Sequence, residues 1–369
     1  MKSIALRSTI FRSTIFRSTT VRCTLLASAV AIALNGLTTP SVQARPFSSG
    51  SFTIAQASVP ESPELFRTIN AHDKPVNAVA IASNNRTVIS GSTDQTLKVW
   101  NLDNGEMEHV LKNSFAANVI APSNDGLTVL NTGLDRTIKL WRITDGTLLR
   151  TYSNRRPNPE GGFFDDAVVR DLAFSPDGER FASAHLDKKV QIWDTTSGDL
   201  LKVFTGHTDH VLSVAFSPDR RTLVSGGGGW DRTVRVWEIS SGKQEFVLEG
   251  HGGWILDVAV SPNGDYIASA SNDNTVKLWN ARTGKLVRTL EGHKGGVRSI
   301  AFAPDNNTIY SGSMDRTIKE WEVETGRLMR TLTGHRLPVL SISLSPNGRL
   351  LASGSEDKTV KIWKLERKS

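Results

Sequence analysis

GHKGGVRSIAFAPDNNTIYSGSMDRTIKEW, residues 292–321, contains three short apolar runs separated by two turns, Pro-Asp-Asn-Asn and Asp-Arg. Runs of five or six residues rich in β-branched and aromatic side chains between such turns predict the strands of an antiparallel meander. A single meander of this size cannot bury both faces of its sheet. The stretch therefore predicts copies of itself that stack side by side.

Seven tryptophans mark the copies, and each has an aspartate six residues upstream. Successive tryptophans are 41, 52, 44, 42, 42 and 42 residues apart. The seven pairs are Asp94 and Trp100, Asp135 and Trp141, Asp187 and Trp193, Asp231 and Trp237, Asp273 and Trp279, Asp315 and Trp321, and Asp357 and Trp363. Because one spacing recurs seven times, the sequence predicts seven equivalent sheets.

The sequence resembles the WD-repeat (WD40) family over roughly residues 64–369. The Gly-His pair that opens a repeat in that family stands at residues 206–207, 250–251, 292–293 and 334–335, with Ala71-His72 as a variant. The resemblance implies an all-β fold, a seven-bladed β-propeller of four-stranded antiparallel blades. Repeats 2 and 3 lack the His, repeat 2 has Asn131 where other repeats have Ser, and an insertion at residues 153–166 precedes repeat 3.

The chain also indicates how the ring closes. It ends six residues after Trp363, so the last repeat has no fourth strand of its own. Residues 63–72, PELFRTINAH, align with residues 284–293, GKLVRTLEGH, which lead from a fourth strand into the next repeat. We expect residues 65–69 to supply the missing strand, since an open ring would leave an unpaired edge.

Residues 1–44 differ from the rest. They carry five basic residues and no acid, and an apolar run of eleven residues spans 24–34. This run is too short to cross a bilayer, which takes about 20 residues. It predicts a signal peptide cleaved after Ala44 and a secreted or periplasmic protein; a transit peptide and an uncleaved anchor are the alternatives. Residues 45–63, rich in Ser, Pro and Gly, predict a flexible linker to a propeller at residues 64–369.

Charge and cysteine content narrow the classes of function. Without residues 1–44 the chain has 39 basic and 37 acidic residues, a net charge of +2. A nearly neutral, interspersed surface is not the clustered basic stripe that nucleic-acid binding requires. The only cysteine is Cys23, so the mature chain would have no disulfide, thiol nucleophile or thiolate metal site. The spacing of the histidines and glycines predicts no metal site and no cofactor.

A His, a Ser and an Asp recur within four repeats, in the residue types of a hydrolase triad. A catalytic site does not need four copies, so we interpret the sets as structural. The resemblance implies that each set and its Trp form a hydrogen-bonded chain inside one blade. The four sets are His72, Ser90, Asp94 and Trp100; His251, Ser269, Asp273 and Trp279; His293, Ser311, Asp315 and Trp321; and His335, Ser353, Asp357 and Trp363.

The resemblance also implies a partner-facing surface at one end of the ring. It is formed by the residues three and five after the repeat His and by the residue before the turn Asp. Trp230 and Trp254, the two tryptophans outside the repeat pattern, both fall on this surface, and Trp, Tyr and Arg are the residues most often found at interface hot spots. The residues predicted to bind a partner are Trp230, Trp254, His210, Leu212, Leu256, Arg298, Met314, Arg170, and Phe163 and Phe164 of the insertion.

The sequence therefore predicts a non-catalytic scaffold, a monomeric propeller within a complex, that binds a protein or peptide, without nucleic acid or a membrane span. One alternative is a hydrolytic enzyme with its site at the channel mouth, where sequence points only to Glu356, Arg170 and Arg298 as convergent groups. A second is a purely structural subunit, and a flexible loop without a partner is the alternative for the insertion. Glu320 stands where the other repeats have an apolar residue, and we expect a local salt bridge there.

Overall fold

The computed structural model describes residues 64–112, 119–133, 136–153 and 168–365. These residues form seven four-stranded antiparallel sheets, the predicted seven-bladed propeller. The leader and linker predicted for residues 1–63 lie outside the described residues. None of the described residues form a helix with the length and hydrophobicity that crossing a bilayer demands.

Each blade is a meander of four consecutive strands, numbered in chain order. Blade 1 has β2 (Val76–Ile81), β3 (Thr87–Ser92), β4 (Thr96–Asn101) and β5 (Met107–Lys112). Blade 2 has β6 (Val119–Pro122), β7 (Thr128–Thr132), β8 (Thr137–Arg142) and β9 (Leu148–Ser153). Blade 3 has β10 (Val169–Phe174), β11 (Arg180–His185), β12 (Lys189–Asp194) and β13 (Leu200–Thr205). Blade 4 has β14 (Val211–Phe216), β15 (Thr222–Gly227), β16 (Val234–Glu238) and β17 (Gln244–Leu248).

The remaining blades follow the same order. Blade 5 has β18 (Ile255–Val260), β19 (Tyr266–Ser271), β20 (Val276–Asn280) and β21 (Leu286–Leu290). Blade 6 has β22 (Val297–Phe302), β23 (Thr308–Ser313), β24 (Thr317–Glu322) and β25 (Leu328–Thr333). Blade 7 has β26 (Val339–Leu344), β27 (Leu350–Ser355), β28 (Thr359–Lys364) and, from the start of the described chain, β1 (Glu64–Asn70).

The ring closes through β1, as the sequence predicts. This strand pairs antiparallel with β28 from Glu64 opposite Lys364 to Asn70 opposite Thr359. The closing blade thus combines the two ends of the repeat region, and the described propeller has no missing fourth strand.

The hydrophobic core lies between neighbouring blades. One cluster joins Val276 and Leu278 of blade 5 to Ile309 and Trp321 of blade 6, and corresponding clusters fill the other interfaces. The second strands are almost wholly buried, whereas the fourth strands at the outer edge are mostly exposed, with one buried residue near the end of the strand. A blade therefore buries both sheet faces only when it has neighbours, which is why the single repeat cannot fold alone.

Candidate functional site

A chain of three hydrogen bonds fixes the interior of blade 5. His251 Nδ1 lies 2.7 Å from a carboxylate oxygen of Asp273, and its Nε2 lies 2.8 Å from Ser269 Oγ. The indole N–H of Trp279 donates to the same Ser269 oxygen at 2.9 Å. Because a carboxylate only accepts, His251 donates from Nδ1 and accepts the serine hydroxyl at Nε2. Every polar group of the chain is satisfied, and Ser269 is fully buried, so its hydroxyl cannot reach a substrate.

The same chain occurs in blades 1, 6 and 7, with its turn aspartate strongly anionic. Burial alone would raise the pKa of Asp273, but hydrogen bonds from His251 and Thr275 outweigh it and lower that pKa well below its usual range. The remaining sets, with His–Asp distances of 2.8–2.9 Å, are His72, Ser90, Asp94 and Trp100; His293, Ser311, Asp315 and Trp321; and His335, Ser353, Asp357 and Trp363.

Blade 4 has a fifth chain, which the sequence spacing conceals. His207 lies 3.0 Å from Asp231 and 2.7 Å from Ser225, and Trp237 donates to Ser225 at 2.8 Å. Ser225 stands twelve residues before its Trp instead of ten, because the turn after β15 is two residues longer. Only Gly229 of the glycine run in this turn has positive φ, at 56°.

Blades 2 and 3 replace the chain in different ways. In blade 2, Trp141 donates to Asn131 Oδ1 at 2.7 Å. In blade 3, Trp193 donates to Ser183, and His185 from the same strand lies 2.6 Å from the Ser183 hydroxyl. His185 is fully buried, so a histidine two residues along the strand takes the place of the one that opens other repeats. The sequence gives little sign of this role, because His185 stands two residues before the turn Asp, where Ser92 and Ser271 stand in other repeats, and not at the start of the repeat.

At one end of the ring, two loops of the same blade are joined by a backbone hydrogen bond, which is present in six blades of the described structure. In each, the turn between the second and third strands donates to the residue just before the first strand. The bonds are Thr93 N to Pro75 O, Leu186 N to Val168 O, Gly228 N to His210 O, Asn272 N to Trp254 O, Met314 N to Gly296 O, and Glu356 N to Pro338 O, at 2.7–3.2 Å. We call these loop residues, with Trp230 on the longer turn and Leu337 next to Pro338, the rim.

The rim of blades 4 to 7 carries several large exposed side chains. Trp230 is 84% exposed and Trp254 is 50% exposed, on adjacent blades, and Met314 and Leu337 are 44% exposed on the next two. His210 is exposed beside them and lies 2.7 Å from the Leu186 carbonyl oxygen, to which its Nδ1 donates. The sequence placed all of these on this surface except Leu337.

Two polar side chains hold Trp230 in place. Its backbone N–H donates to Asp209 at 2.9 Å, and the Arg232 guanidinium lies 5.5 Å from the centre of its indole ring. Arg232 also donates to the carbonyl oxygen of Gly252 at 3.2 Å, two residues before Trp254. The same arginine therefore contacts both the exposed indole of blade 4 and the loop that carries the exposed indole of blade 5.

The other predicted partner-binding residues lie deeper. Arg170, Leu212, Leu256 and Arg298 stand two residues after rim positions, on first strands, and line a cavity of about 250 Å³ in the central channel, together with Asn77 and Leu340. We call these six residues the channel mouth. The sequence predicts them on one surface with the tryptophans. In the structure the tryptophans lie on the rim loops, whereas Arg170 and Arg298 lie at the channel mouth. Phe163 and Phe164 lie outside the described residues.

A belt of side-chain acceptors just below the channel mouth links successive first strands. Val214 N–H donates to Asp171, Val258 N–H to Ser213, Ile300 N–H to Asp257, Ile342 N–H to Ser299, and Val79 N–H to Ser341, at 2.8–3.2 Å. The equivalent positions in blades 1 and 2 are Ala78 and Val119, which offer no side-chain acceptor. The belt thus runs from blade 3 round to blade 1 and leaves both sides of blade 2 without it.

Two carboxyl groups of this belt titrate far from their usual range. Ser213 Oγ lies 2.8 Å from Asp171 and 3.1 Å from Asp257, so one hydroxyl bridges both. Loss of hydration raises the pKa of Asp171 to about 6, and loss of hydration with the nearby charge of Asp171 raises that of Asp257 to about 7. The charged groups predicted at the channel mouth from the sequence, Glu356, Arg170 and Arg298, therefore lacked both aspartates. An acid in each apolar run, VRDLAF and ILDVAV, was the available signal.

We expect blade 2 to be the least protected part of the ring. It lacks the histidine chain and the belt on both sides, and each lost hydrogen bond to a buried group costs about 1–3 kcal/mol. Amides of β7 and β8 should therefore exchange with solvent at least about tenfold faster than those of β19 and β20 in hydrogen-exchange mass spectrometry. Blade 3, which keeps a buried histidine, serves as the control. Equal protection of blades 2 and 5 would contradict this expectation.

Within the described residues, no group of three or more His, Cys, Asp and Glu side chains is arranged to hold a metal ion.

The family model of the WD domain, G-beta repeat, matches residues 63–101, 161–194, 198–238, 242–280, 284–322 and 326–364, more than half of the chain. The unmatched residues 102–160 include nearly all of blade 2, whose Asn131 and missing histidine depart furthest from the repeat pattern.

Two relatives illustrate how far the similarity extends. Nuclear distribution protein PAC1 of Coccidioides posadasii (strain C735) is 37% identical over 165 residues, which are 43% of this chain and 34% of that protein. Human WD repeat and SOCS box-containing protein 1 is 48% identical over 62 residues, 16% of this chain and 15% of that protein. The chain thus spans about a third or less of each relative. By the repeats matched and the propeller they form, it belongs to the WD40 family of WD-repeat proteins.

Proposed function

We propose that this protein is a non-catalytic scaffold that binds a protein or peptide partner through the rim of blades 4 to 7. The observation that carries the proposal is the pair of exposed indoles, Trp230 and Trp254, on adjacent blades beside Met314 and Leu337. Large apolar side chains exposed on one surface favour a contact site, and tryptophans are enriched among the residues that dominate the energy of interfaces. WD40 propellers are typical protein-interaction scaffolds, which is consistent with this surface.

The histidine, serine and aspartate sets have a structural role, because the serine of each set is fully buried. Each histidine chain uses its serine hydroxyl and its carboxylate for internal hydrogen bonds, five times over. Asp171 and Asp257 likewise accept backbone N–H groups of the following blades. The histidine chains thus fix the interior of single blades, and Asp171 and Asp257 join neighbouring blades.

We also propose that the protein is exported. The basic, acid-free start, the apolar run at residues 24–34 and the lack of cysteine after Cys23 support this proposal. N-terminal sequencing of the mature product should begin at Arg45, and a cytoplasmic product that begins at residue 1 or 2 would contradict it.

The variant Trp230→Ala/Trp254→Ala tests the binding surface. Truncating two hot-spot tryptophans should lower recovery of the partner in a pull-down from the exported fraction by at least about thirtyfold. The matched control is Leu149→Ala/Leu201→Ala, which removes two side chains that are 40% and 47% exposed on outer strands. Equal recovery by the tryptophan variant and the wild type would favour a purely structural subunit. Unfolding curves of both variants should match the wild type, because all four side chains are exposed.

A further inference from the structure

Arg170 and Arg298 project into the channel without an acceptor. Among the described residues, neither guanidinium has a hydrogen-bond acceptor or a carboxylate at ion-pair distance, and the Nε of Arg298 is fully buried and unpaired. Both arginines line the same cavity on first strands of blades 3 and 6. Loss of hydration lowers the pKa of each, and the charge of Arg170 lowers that of Arg298 further. The two groups are thus close enough to repel one another.

The hydrogen-bonding capacity left at the channel mouth is of one kind. An arginine carries five N–H donors and stays protonated. The neighbouring carboxyl groups, Asp171 and Asp257, are already bonded to Leu172, Val214 and Ile300 N–H groups and to Ser213. Two cations with free donors, beside acids whose oxygens are occupied, complement a ligand that is anionic and accepts hydrogen bonds.

We propose that the channel mouth is an oxyanion-binding site in which Arg170 and Arg298 donate to a carboxylate or an inorganic oxyanion. The cavity of about 250 Å³ has room for such a group. The anion can also belong to the protein partner, and this part of the inference rests on the proposed function. In that case the bound segment of the partner places an Asp or Glu side chain into the channel, and the rim tryptophans contact apolar residues of the same segment.

The strength of this site depends on pH. The ionisable groups around the cavity, among the described residues, are Arg170, Arg298, Asp171 and Asp257, with Glu356 of the rim acting on Arg298 from outside. Asp171 and Asp257, with pKa values of about 6 and about 7, gain protons as the pH falls towards 5.5. Protonation removes negative charge beside the ligand, so an anion binds more tightly at mildly acidic pH than at pH 8.

Two probes distinguish the sources of the anion. Sulfate, titrated by calorimetry, reports on a small ion, and a labelled tri-glutamate peptide reports on an acidic segment, with tri-glutamine as the uncharged control. Arg170→Met and Arg298→Met should each weaken the probe that binds by about tenfold or more, whereas Arg349→Met, at an exposed position outside the cavity, should not. Binding of sulfate alone assigns the site to a small ion, and binding of the peptide assigns it to an acidic segment.

Two outcomes would overturn the proposal. One is that neither probe binds better than tri-glutamine; the other is that both methionine variants bind as the wild type does. Should the methionine variants unfold, the pH dependence of sulfate binding to the wild type decides between the outcomes. Sulfate keeps its charge from pH 5.5 to 8, so its affinity for the wild type should fall as the pH rises over that range. Asp257→Asn should make this decrease in affinity smaller. Sulfate binding does not require Trp230 or Trp254, so its result is separate from that of the rim test.

Discussion

Deletion of residues 64–70 is expected to lower the melting temperature of the propeller and to make it aggregate on heating. These residues are β1, the fourth strand of blade 7, and they pair along the length of β28. Ile69 is buried in the cluster that joins blade 7 to blade 1. Thr68 accepts a hydrogen bond from Lys361 at 2.8 Å, and Arg67 donates to the Asn104 and Asp103 carbonyl oxygens of blade 1 at 2.6 and 3.1 Å. One strand thus holds both sides of the closing interface.

The deletion acts through the loss of burial and through a new edge. Emptying the site of Ile69 alone costs about 2–5 kcal/mol. Removing the strand also leaves the backbone of β28 unpaired, an edge that pairs readily with other chains. We expect stability to fall by at least about 3 kcal/mol, a shift of roughly 6–12 °C in the melting temperature, together with aggregation on heating.

Addition of a peptide in trans provides the control. A synthetic peptide of residues 64–72 should restore part of the melting temperature, because it can occupy the vacant position beside β28. The variant Leu65→Ala/Phe66→Ala keeps the strand and changes two side chains that are 40% and 39% exposed, so it should melt close to the wild type. A sharp, unshifted transition in the deletion variant would show that the ring does not close through these residues.

The closure could be predicted from the sequence because it repeats a pattern. Residues 63–72 align with residues 284–293, and the tryptophan spacing counts the blades. Seven copies of one pattern also allow each deviation to be recognised. Asn131, the missing histidines and Glu320 were visible as departures for that reason.

Contacts that depend on a neighbouring blade could not be predicted in the same way. The acceptor belt joins Asp171 to Val214 and Asp257 to Ile300, residues more than forty positions apart that a single repeat never shows together. In each of six blades the channel-mouth residue follows a rim residue by only two positions, so the sequence predicts one surface for both. The structure shows two separate sites, the rim loops and the channel mouth. The hydrogen-bonded chain of blade 4 was not predicted, because two added turn residues change the spacing between Ser225 and Trp237 from ten residues to twelve.

Glu320 illustrates a deviation whose outcome the sequence did predict. The expected salt bridge is present: Arg330, opposite Glu320 across β24 and β25, donates from Nε at 2.7 Å and from Nη2 at 3.1 Å. Burial, and then the charge of Glu320, raise the pKa of the neighbouring Tyr310 phenol. Burial alone would lower the pKa of Arg330, but Glu320 outweighs it and raises that pKa. The Glu320 carboxylate is thus paired with the Arg330 guanidinium inside the blade.

The two partners differ in what their loss would cost. Leu278 and Arg288 occupy the equivalent positions in blade 5, so an arginine opposite a leucine is already tolerated in this ring. Arg330 keeps 23% of its side chain exposed and can turn towards water, whereas Glu320 has only 10% exposed. A carboxylate left without its cation at this depth is therefore the costly state.

We expect Arg330→Leu to destabilise the protein by about 3–5 kcal/mol, and Glu320→Leu by about 1 kcal/mol or less. The double variant should resemble Glu320→Leu, because removing the carboxylate removes the unpaired charge. Chemical denaturation at several pH values measures these differences. In Arg330→Leu, burial raises the pKa of the unpaired Glu320, so the loss of stability relative to the wild type should be smallest at mildly acidic pH and should grow as the pH rises through that pKa. Equal costs for the two single variants, or a stability difference between Arg330→Leu and the wild type that shrinks with rising pH, would show that the pair does not hold a buried charge.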